Sequence, residues 1–401
     1  MPVYWIWLAN LKGLSIYKKR QLLETFPDPE ELWRLNPKAL PEDVAEALQQ
    51  KDLSEAMEIY RKCTVLGIGV AGFGDAEYPS RLRTLEDPPI ALYYKGKLPQ
   101  WQAQPVIGVV GTRKASPYGM QTTGLLASQI AACGGLVVSG AATGVDRRAM
   151  ESALAQGKPV VGVLGGGVDV VYPAANRELY RQTQEHGCLI SEYPPGSRPF
   201  PGNFLQRNRI ISGLSDGVLI VEAPERSGAL NTAQHAFAQG RDVYAVPGNL
   251  GVDSCAGSNR LLQEGAYPVL QGWDVVKQYE TLYPGAVENR RENLTQPEET
   301  RLPKVAEAVA PPENPRQKRK PSSQIPIDNR EESTYSVINK RPEGLSTQEE
   351  TVWNLLSTQP EWIDSIMDRT ELPAAAVQTA LTRMTIKGVI VQHPDGRVSR
   401  K

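Results

Sequence analysis

Apolar positions along this chain follow three successive patterns. Over residues 1–66 they recur at helical spacing, as in Leu8, Leu11 and Leu14 and then Leu22, Leu23 and Phe26, broken by Pro27, Pro29 and Pro37. That spacing predicts a small bundle of short helices. From Val106 to about Leu270 the pattern becomes one of continuous apolar runs, each followed by an amphipathic stretch of helix length. The runs are 106–110, 136–139, 159–164, 188–191, 217–221 and 242–246. Strands that are apolar at every position must be covered on both faces, so the prediction is an α/β, Rossmann-like, doubly wound and mostly parallel sheet. Residues 78–96, just ahead of it, predict an added strand and turn.

The pattern lapses over residues 284–344, where Pro, Glu, Arg, Asn and Gln dominate and a basic run, Arg316-Gln-Lys-Arg-Lys320, occurs. So few large apolar residues cannot offset the entropy of ordering the chain, and a disordered linker is predicted. Helical spacing returns in Val352, Leu355 and Leu356, then in Ile363 and Ile366, and in a third helix opened by Leu372-Pro373 with Val377, Leu381 and Met384, and Val389-Ile-Val391 precedes His393-Pro-Asp-Gly-Arg397. Three helices and a hairpin make a winged helix. The expected layout is a helical domain over 1–66, an extended Rossmann-like domain over 67–283, the linker over 284–344 and a winged-helix domain over 345–401.

Composition narrows the function class. The chain has 401 residues and a net charge of −1, which excludes a globally basic coat for duplex DNA but leaves room for a local basic groove. Val3 to Ala9 is apolar but too short to span a bilayer and lacks the flanks of an export signal, so neither a membrane nor a secretory role is expected. Cys63, Cys133, Cys188 and Cys255 lie far apart without metal-ligand spacing. Buried free thiols, no metal and a cytoplasmic location follow.

The candidate chemistry collects at strand ends. After the first strand comes Gly111-Thr-Arg-Lys-Ala-Ser-Pro-Tyr-Gly119, a turn that would aim backbone N–H groups and a helix dipole at an anion, with Arg113 and Lys114 at the same edge. It is neither a Walker A loop nor a full dinucleotide fingerprint, so no nucleotide cofactor is expected. Ser139-Gly-Ala-Ala-Thr-Gly-Val-Asp146, Gly165-Gly-Gly-Val-Asp169 and Ser227-Gly-Ala-Leu-Asn-Thr232 end other strands, and all carboxyl ends of a parallel sheet share one crevice. Phe204, Gln206, Arg207, Asn208 and Arg209 open a helix that supplies cations, amides and a ring for stacking. At least one of the two arginines is expected to pin its loop by pairing with Asp146 or Glu192. The predicted binding set is Gly111, Thr112, Arg113, Lys114, Ser139, Gly140, Phe204, Gln206, Arg207, Asn208, Arg209, Ser227 and Gly228, with no catalytic residue. At the amino end, Leu11-Lys-Gly-Leu-Ser15 fits either the hairpin of a SAM or helix-hairpin-helix-like module or an ordinary helix connection.

Several motifs occur together and in order: Gly111-Thr-Arg113, Tyr118-Gly119, Ser139 to Asp146, Tyr172-Pro173, Ser191-Glu-Tyr-Pro194, Arg207 to Ser215, Glu222 to Gly228 and Ala245-Val-Pro-Gly248. On them the chain resembles the DNA-processing protein A family (DprA, also called Smf). The resemblance implies a non-enzymatic protein that binds single-stranded DNA, dimerises through the Rossmann-like domain and delivers the strand to the RecA recombinase in natural transformation. One departure is Met150, where the family usually has a histidine after Ala149. The loops are also similar to those of phosphoribohydrolases that carry Pro-Gly-Gly-x-Gly-Thr-x-x-Glu, but here that stretch reads Arg226 to His235, with His235 in place of the acid. A third reading is a duplex-DNA regulator acting through the winged helix. The tail's slight excess of acidic residues makes protein contact equally open for that domain.

Overall fold

The computed structural model describes residues 1–37, 40–288, 345–357, 361–362, 366–367, 369–370, 372–387, 389–393 and 397–400. These fall into two compact units, one before residue 310 and one after it.

The larger unit begins with helices α1 (Pro2–Asn10), α2 (Ile16–Thr25), α3 (Pro29–Arg34), α4 (Glu42–Leu48) and α5 (Ser54–Leu66). Ser15 and Asp28 cap α2 and α3 by accepting from the backbone N–H groups of Lys18 and Glu30. Trp5, Ile6, Trp7 and Leu8 are all buried, so α1 is a core helix rather than a surface one. Gly72 makes room for it: a Cβ there would lie 2.1 Å from the Trp5 ring. The helical front therefore shares one hydrophobic core with the sheet that follows.

That sheet has nine strands. β1 (Gly69–Gly72) and β2 (Ala91–Gly96) precede β3 (Val106–Val110), α6 (Pro117–Ala132), β4 (Leu136–Ser139), α7 (Val145–Ala155), β5 (Val160–Val163), α8 (Arg177–His186) and β6 (Cys188–Ser191). Then come α9 (Pro201–Leu214), β7 (Gly217–Ile220), α10 (Gly228–Ala238), β8 (Asp242–Ala245), α11 (Asp253–Gln263), β9 (Tyr267–Pro268) and α12 (Gly272–Val276). The order is β1-β2-β6-β5-β4-β3-β7-β8-β9. β3 to β9 run parallel, and β1 and β2 add antiparallel pairings beyond β6. Alternate residues of each strand enter different cores: Ile107 and Val109 pack with α6, α7 and α8, while Val106 and Val110 pack with α9 and α10. The doubly wound arrangement expected from the continuous apolar runs is present. The order in which strands are added reverses between β3 and β7, and that switch point positions the site.

Met150 is fully buried and packs toward β5, where a Cβ on Gly162 would meet its terminal methyl at 3.2 Å. All four cysteines are free and buried. Order continues past the expected start of the linker, because the Glu288 N–H donates to the Cys133 carbonyl and Val287 is buried. Residues 289–344, with the basic run 316–320, lie outside the described residues.

The smaller unit holds α13 (Thr347–Leu355), β10 (Glu361–Trp362), α14 (Ala374–Ile386), β11 (Ile390–Gln392) and β12 (Arg397–Arg400), with strand order β10-β12-β11. Ser346 and Glu349 form a reciprocal capping box at the start of α13. Val352, Val377, Leu381, Met384 and Val398 fill the core of this winged helix. Of its expected middle helix only Ile366 and Met367 fall among the described helical residues.

Lys19 is buried in the helical front and donates to the Ala9 carbonyl at 2.8 Å. Burial pulls its pKa from 10.5 to about 8. The unfolded chain keeps this proton up to the higher value and the folded chain releases it near the lower one, so stability should rise as pH climbs through that window. The gain is on the order of 3 kcal/mol. Urea unfolding across this range should show the rise flattened in Lys19→Met, and identical slopes would contradict it.

Candidate nucleic-acid interface

The turn after β3 is tied to its neighbours by backbone. The Thr112 N–H donates to the Glu222 carbonyl beyond β7 at 2.8 Å, and the Thr112 carbonyl accepts from the Val145 N–H at 3.3 Å. Gly144 adopts φ +75°, and a Cβ there would strike the Thr112 carbonyl oxygen at 2.4 Å. Only glycine fits that crossing. Ser116 caps α6 by accepting from the Gly119 N–H, and the buried Glu222 carboxylate accepts from both the N–H and the hydroxyl of Ser116, at 2.9 and 3.1 Å. A Cβ on Gly119 would lie 1.8 Å from that carboxylate. The expectation that α6 aims its amino end at an external anion is therefore corrected: the helix dipole faces an internal carboxylate.

Between the β3 and β7 loops lies a groove of about 380 Å³. Gly111, Thr112, Arg113 and Lys114 line it from the β3 loop, Ser227 and Gly228 from the β7 loop, and Phe204 and Asn208 from α9. Arg113 and Lys114 are exposed, and the Arg113 guanidinium sits 5.0 Å from the centre of the Phe204 ring. That is a cation–π contact at the groove's lip. The Asn208 amide donates to the Gly228 carbonyl at 3.1 Å and to Asn231 Oδ1 at 3.2 Å, which fixes the amino end of α10 against α9. Arg226 also lines the groove and was missed in the sequence. Its position inside the matching Glu222 to Gly228 motif was the available signal.

Five expected residues, Arg209, Ser139, Gln206, Arg207 and Gly140, are placed differently. Arg209 is buried on the far side of α9, with Nη2 2.6 Å from Glu192 Oε2 and Nε 2.9 Å from Asp87 Oδ2. It does not line the groove. Burial pushes the Glu192 carboxyl up and the Arg209 charge pulls it back. Ser139 is fully buried and donates to the Val109 carbonyl, bracing β4 on β3. Gln206 is exposed on another face of α9, where its Oε1 accepts from the Tyr193 hydroxyl at 3.4 Å. Arg207 lines the groove but is only 3% exposed. Its Nη1 donates to the carbonyls of Gly140 and Val163, and Nε donates to Asn208 Oδ1. It clamps the ends of β4 and β5 beneath the groove.

Asp146 is Arg207's charge partner. Burial raises the Asp146 carboxyl's pKa, and Arg207 together with backbone N–H groups of Ala142 and Gly111 lowers it. Gly140 borders a second, smaller chamber beside the groove rather than the groove itself. His235 is influenced by Asp87 and Arg209, and burial lowers its pKa. It does not line the groove, whereas Glu222 is engaged at α6. Among the described residues no three His, Cys, Asp or Glu side chains are grouped to hold a metal.

Comparison with known proteins gives a consistent picture. Residues 69–280 match the family model described as DNA recombination-mediator protein A, and residues 339–396 match that of the DprA winged helix domain. Protein Smf of Synechocystis sp. is 28% identical over 99% of this chain and 98% of its own length. The DNA processing protein DprA of Bacillus subtilis is 37% identical over 53% of this chain and 71% of its own length. The X-ray structure of DNA processing protein A from Streptococcus pneumoniae superposes with a TM-score of 0.59 at 31% identity, covering 69% of this chain and 96% of that one.

Proposed function

The chain belongs to the DNA recombination-mediator protein A family, and from that premise we propose that its groove binds single-stranded DNA without sequence preference and helps load RecA onto it during natural transformation. It is a DNA-binding recombination mediator, not an enzyme. The observation that carries the single-strand reading is the lip of the groove, where two exposed cations stand beside a partly exposed ring. Phosphates need the first and unpaired bases the second. Gly111, Ala142, Gly228 and Ala229 leave stretches of backbone in the walls, which touch any base alike and read none. A homodimer through the same unit belongs to this reading, supported by the exposed Tyr267 and Leu270 at the edge strand β9. The RecA step and a cytoplasmic location rest on the family resemblance. No described helix is long and apolar enough to cross a membrane.

A gel shift of the full chain on single- and double-stranded oligonucleotides over a salt series tests the proposal. Single strands should bind more tightly, and log affinity should fall with log salt by roughly 0.7 for each phosphate neutralised. Equal binding of duplex, or affinity indifferent to salt, would refute it.

A further inference from the structure

The helical front has no task in the account so far, yet it grips a loop that reaches the lip of the groove. After β6 the chain makes a tight turn over Pro194-Pro-Gly-Ser197, closed by the Ser197 N–H donating to the Pro194 carbonyl at 3.1 Å. Proline second and glycine third, with Gly196 at φ +84°, is the type II pattern. Such a turn leaves the carbonyl and N–H of its central peptide without partners of its own. Here both are taken. Lys62 of α5 donates to the Pro195 carbonyl at 3.0 Å, and the Gly196 N–H donates to Asp169 Oδ1 of the β5 loop at 2.8 Å. One peptide group therefore joins the helical front to the β5 loop. Only glycine suits its second residue, because a Cβ on Gly196 would collide with the Lys62 ammonium.

The β5 loop carries this link to the groove. The Gly167 N–H donates to the Ser197 carbonyl at 2.9 Å, and a Cβ on Gly166 would lie 2.9 Å from that same oxygen. At the start of the loop the Gly165 carbonyl accepts from the Asn203 amide at 3.1 Å, and a Cβ on Gly165 would come within 2.9 Å of the Phe204 ring. That ring is the one beside Arg113 at the lip. Pro194, Pro195 and Pro199 fix φ along the β6 loop, so the loop shifts as one piece.

We infer that the helical front sets the groove's affinity for single strands through this peptide, with Lys62 and Asp169 as positioning residues that touch no DNA. The inference rests on the single-strand reading and gives the front a part in it. Neither residue lines the groove. A glycine-rich loop held at both ends has Phe204 in place before the strand arrives. Released, the loop must be ordered during binding, and affinity falls accordingly.

Fluorescence anisotropy of the full chain with a single-stranded oligonucleotide over a salt series tests this, alongside urea unfolding. Lys62→Met keeps the aliphatic stem and removes the donor. It should bind about three- to tenfold more weakly, the range of one lost hydrogen bond, with the wild-type slope of log affinity against log salt. Asp169→Ala separates position from charge. Removing a carboxylate favours polyanion binding on charge alone, whereas losing the grip on Gly196 should weaken binding as Lys62→Met does. Asp169→Asn, whose amide oxygen still accepts, should recover most of the wild-type affinity. The double variant of Lys62→Met with Asp169→Ala should bind no more weakly than the weaker single, since both act on one peptide. If Asp169→Ala melts early, Lys62→Met decides alone, because its side chain is only half-buried. Wild-type affinity in Lys62→Met, a slope shallower by about 0.7 in that variant, tighter binding by a folded Asp169→Ala, or additive losses in the double would each overturn the inference while leaving single-strand binding intact. If wild type binds no single strand, the single-strand reading fails and the inference with it.

Discussion

Arg209→Ala is expected to destabilise the larger unit by about 3 to 5 kcal/mol while leaving the DNA affinity of the folded protein unchanged. Arg209 is only 1% exposed, and its partner Glu192 lies under the same cover. Removing the guanidinium strands a carboxylate that burial already drives toward its neutral form. The cost is therefore the desolvation of an unpaired charge, far more than the loss of one contact. Urea unfolding of the full chain should show a lower midpoint, and anisotropy with a single-stranded oligonucleotide should be unaltered below that transition. The double replacement Arg209→Met with Glu192→Leu should regain much of the stability, because no charge is then left buried. A single variant of normal stability that binds DNA poorly would return Arg209 to the groove.

That prediction reverses a role that the sequence suggested, and helix geometry explains why. Successive residues of a helix are turned by about 100°, so Arg207 and Arg209 point some 200° apart and cannot both face one groove. The Arg-Asn-Arg triplet looked like a cluster of cations only because adjacency along the chain was taken for adjacency in space. One of the two was expected to pair with Asp146 or Glu192. In the fold Arg209 pairs with Glu192, and Arg207 lies in the field of Asp146. How deep each lies could not be known before α9 was placed against β3, β4 and β5. Ser139 is a similar case, since a hydroxyl at a strand end serves a neighbouring carbonyl as readily as a ligand.

The sheet was more legible. Six strands could be seen because a strand buried on both faces leaves a continuous apolar run. β1 and β9 were not visible: one is Gly69-Val-Ala-Gly72 and the other two residues ending in Pro268, too short and too poor in large side chains to leave a pattern. The glycine loops were visible for a physical reason as well. Gly119 and Gly144 stand where a Cβ would collide with Glu222 or the Thr112 backbone, so the composition of those turns records close approaches that the fold requires. The purpose of the α6 turn was not visible, because Glu222 lies 106 residues from the Ser116 N–H it satisfies.

With Arg207 and Arg209 withdrawn beneath the surface, Arg113 becomes the side chain on which phosphate binding should depend most. Arg113→Ala is expected to weaken single-strand binding about tenfold or more, the range of a lost charge-assisted hydrogen bond. The loss should be uniform across sequences, and the slope of log affinity against log salt should become shallower by about 0.7, the signature of one phosphate contact on a single strand. Stability should change little, because Arg113 is exposed and the buried Asp146 carboxyl on which it also acts keeps Arg207 and its backbone donors. Arg113→Lys separates charge from shape. It should restore the salt slope, since a cation remains, but not the full affinity, since an ammonium cannot lie flat over Phe204 at 5.0 Å as the guanidinium does. If Arg113→Ala bound with the wild-type slope, the phosphates would lie against Lys114 and Arg226 instead, and the cation beside Phe204 would serve only to hold the ring.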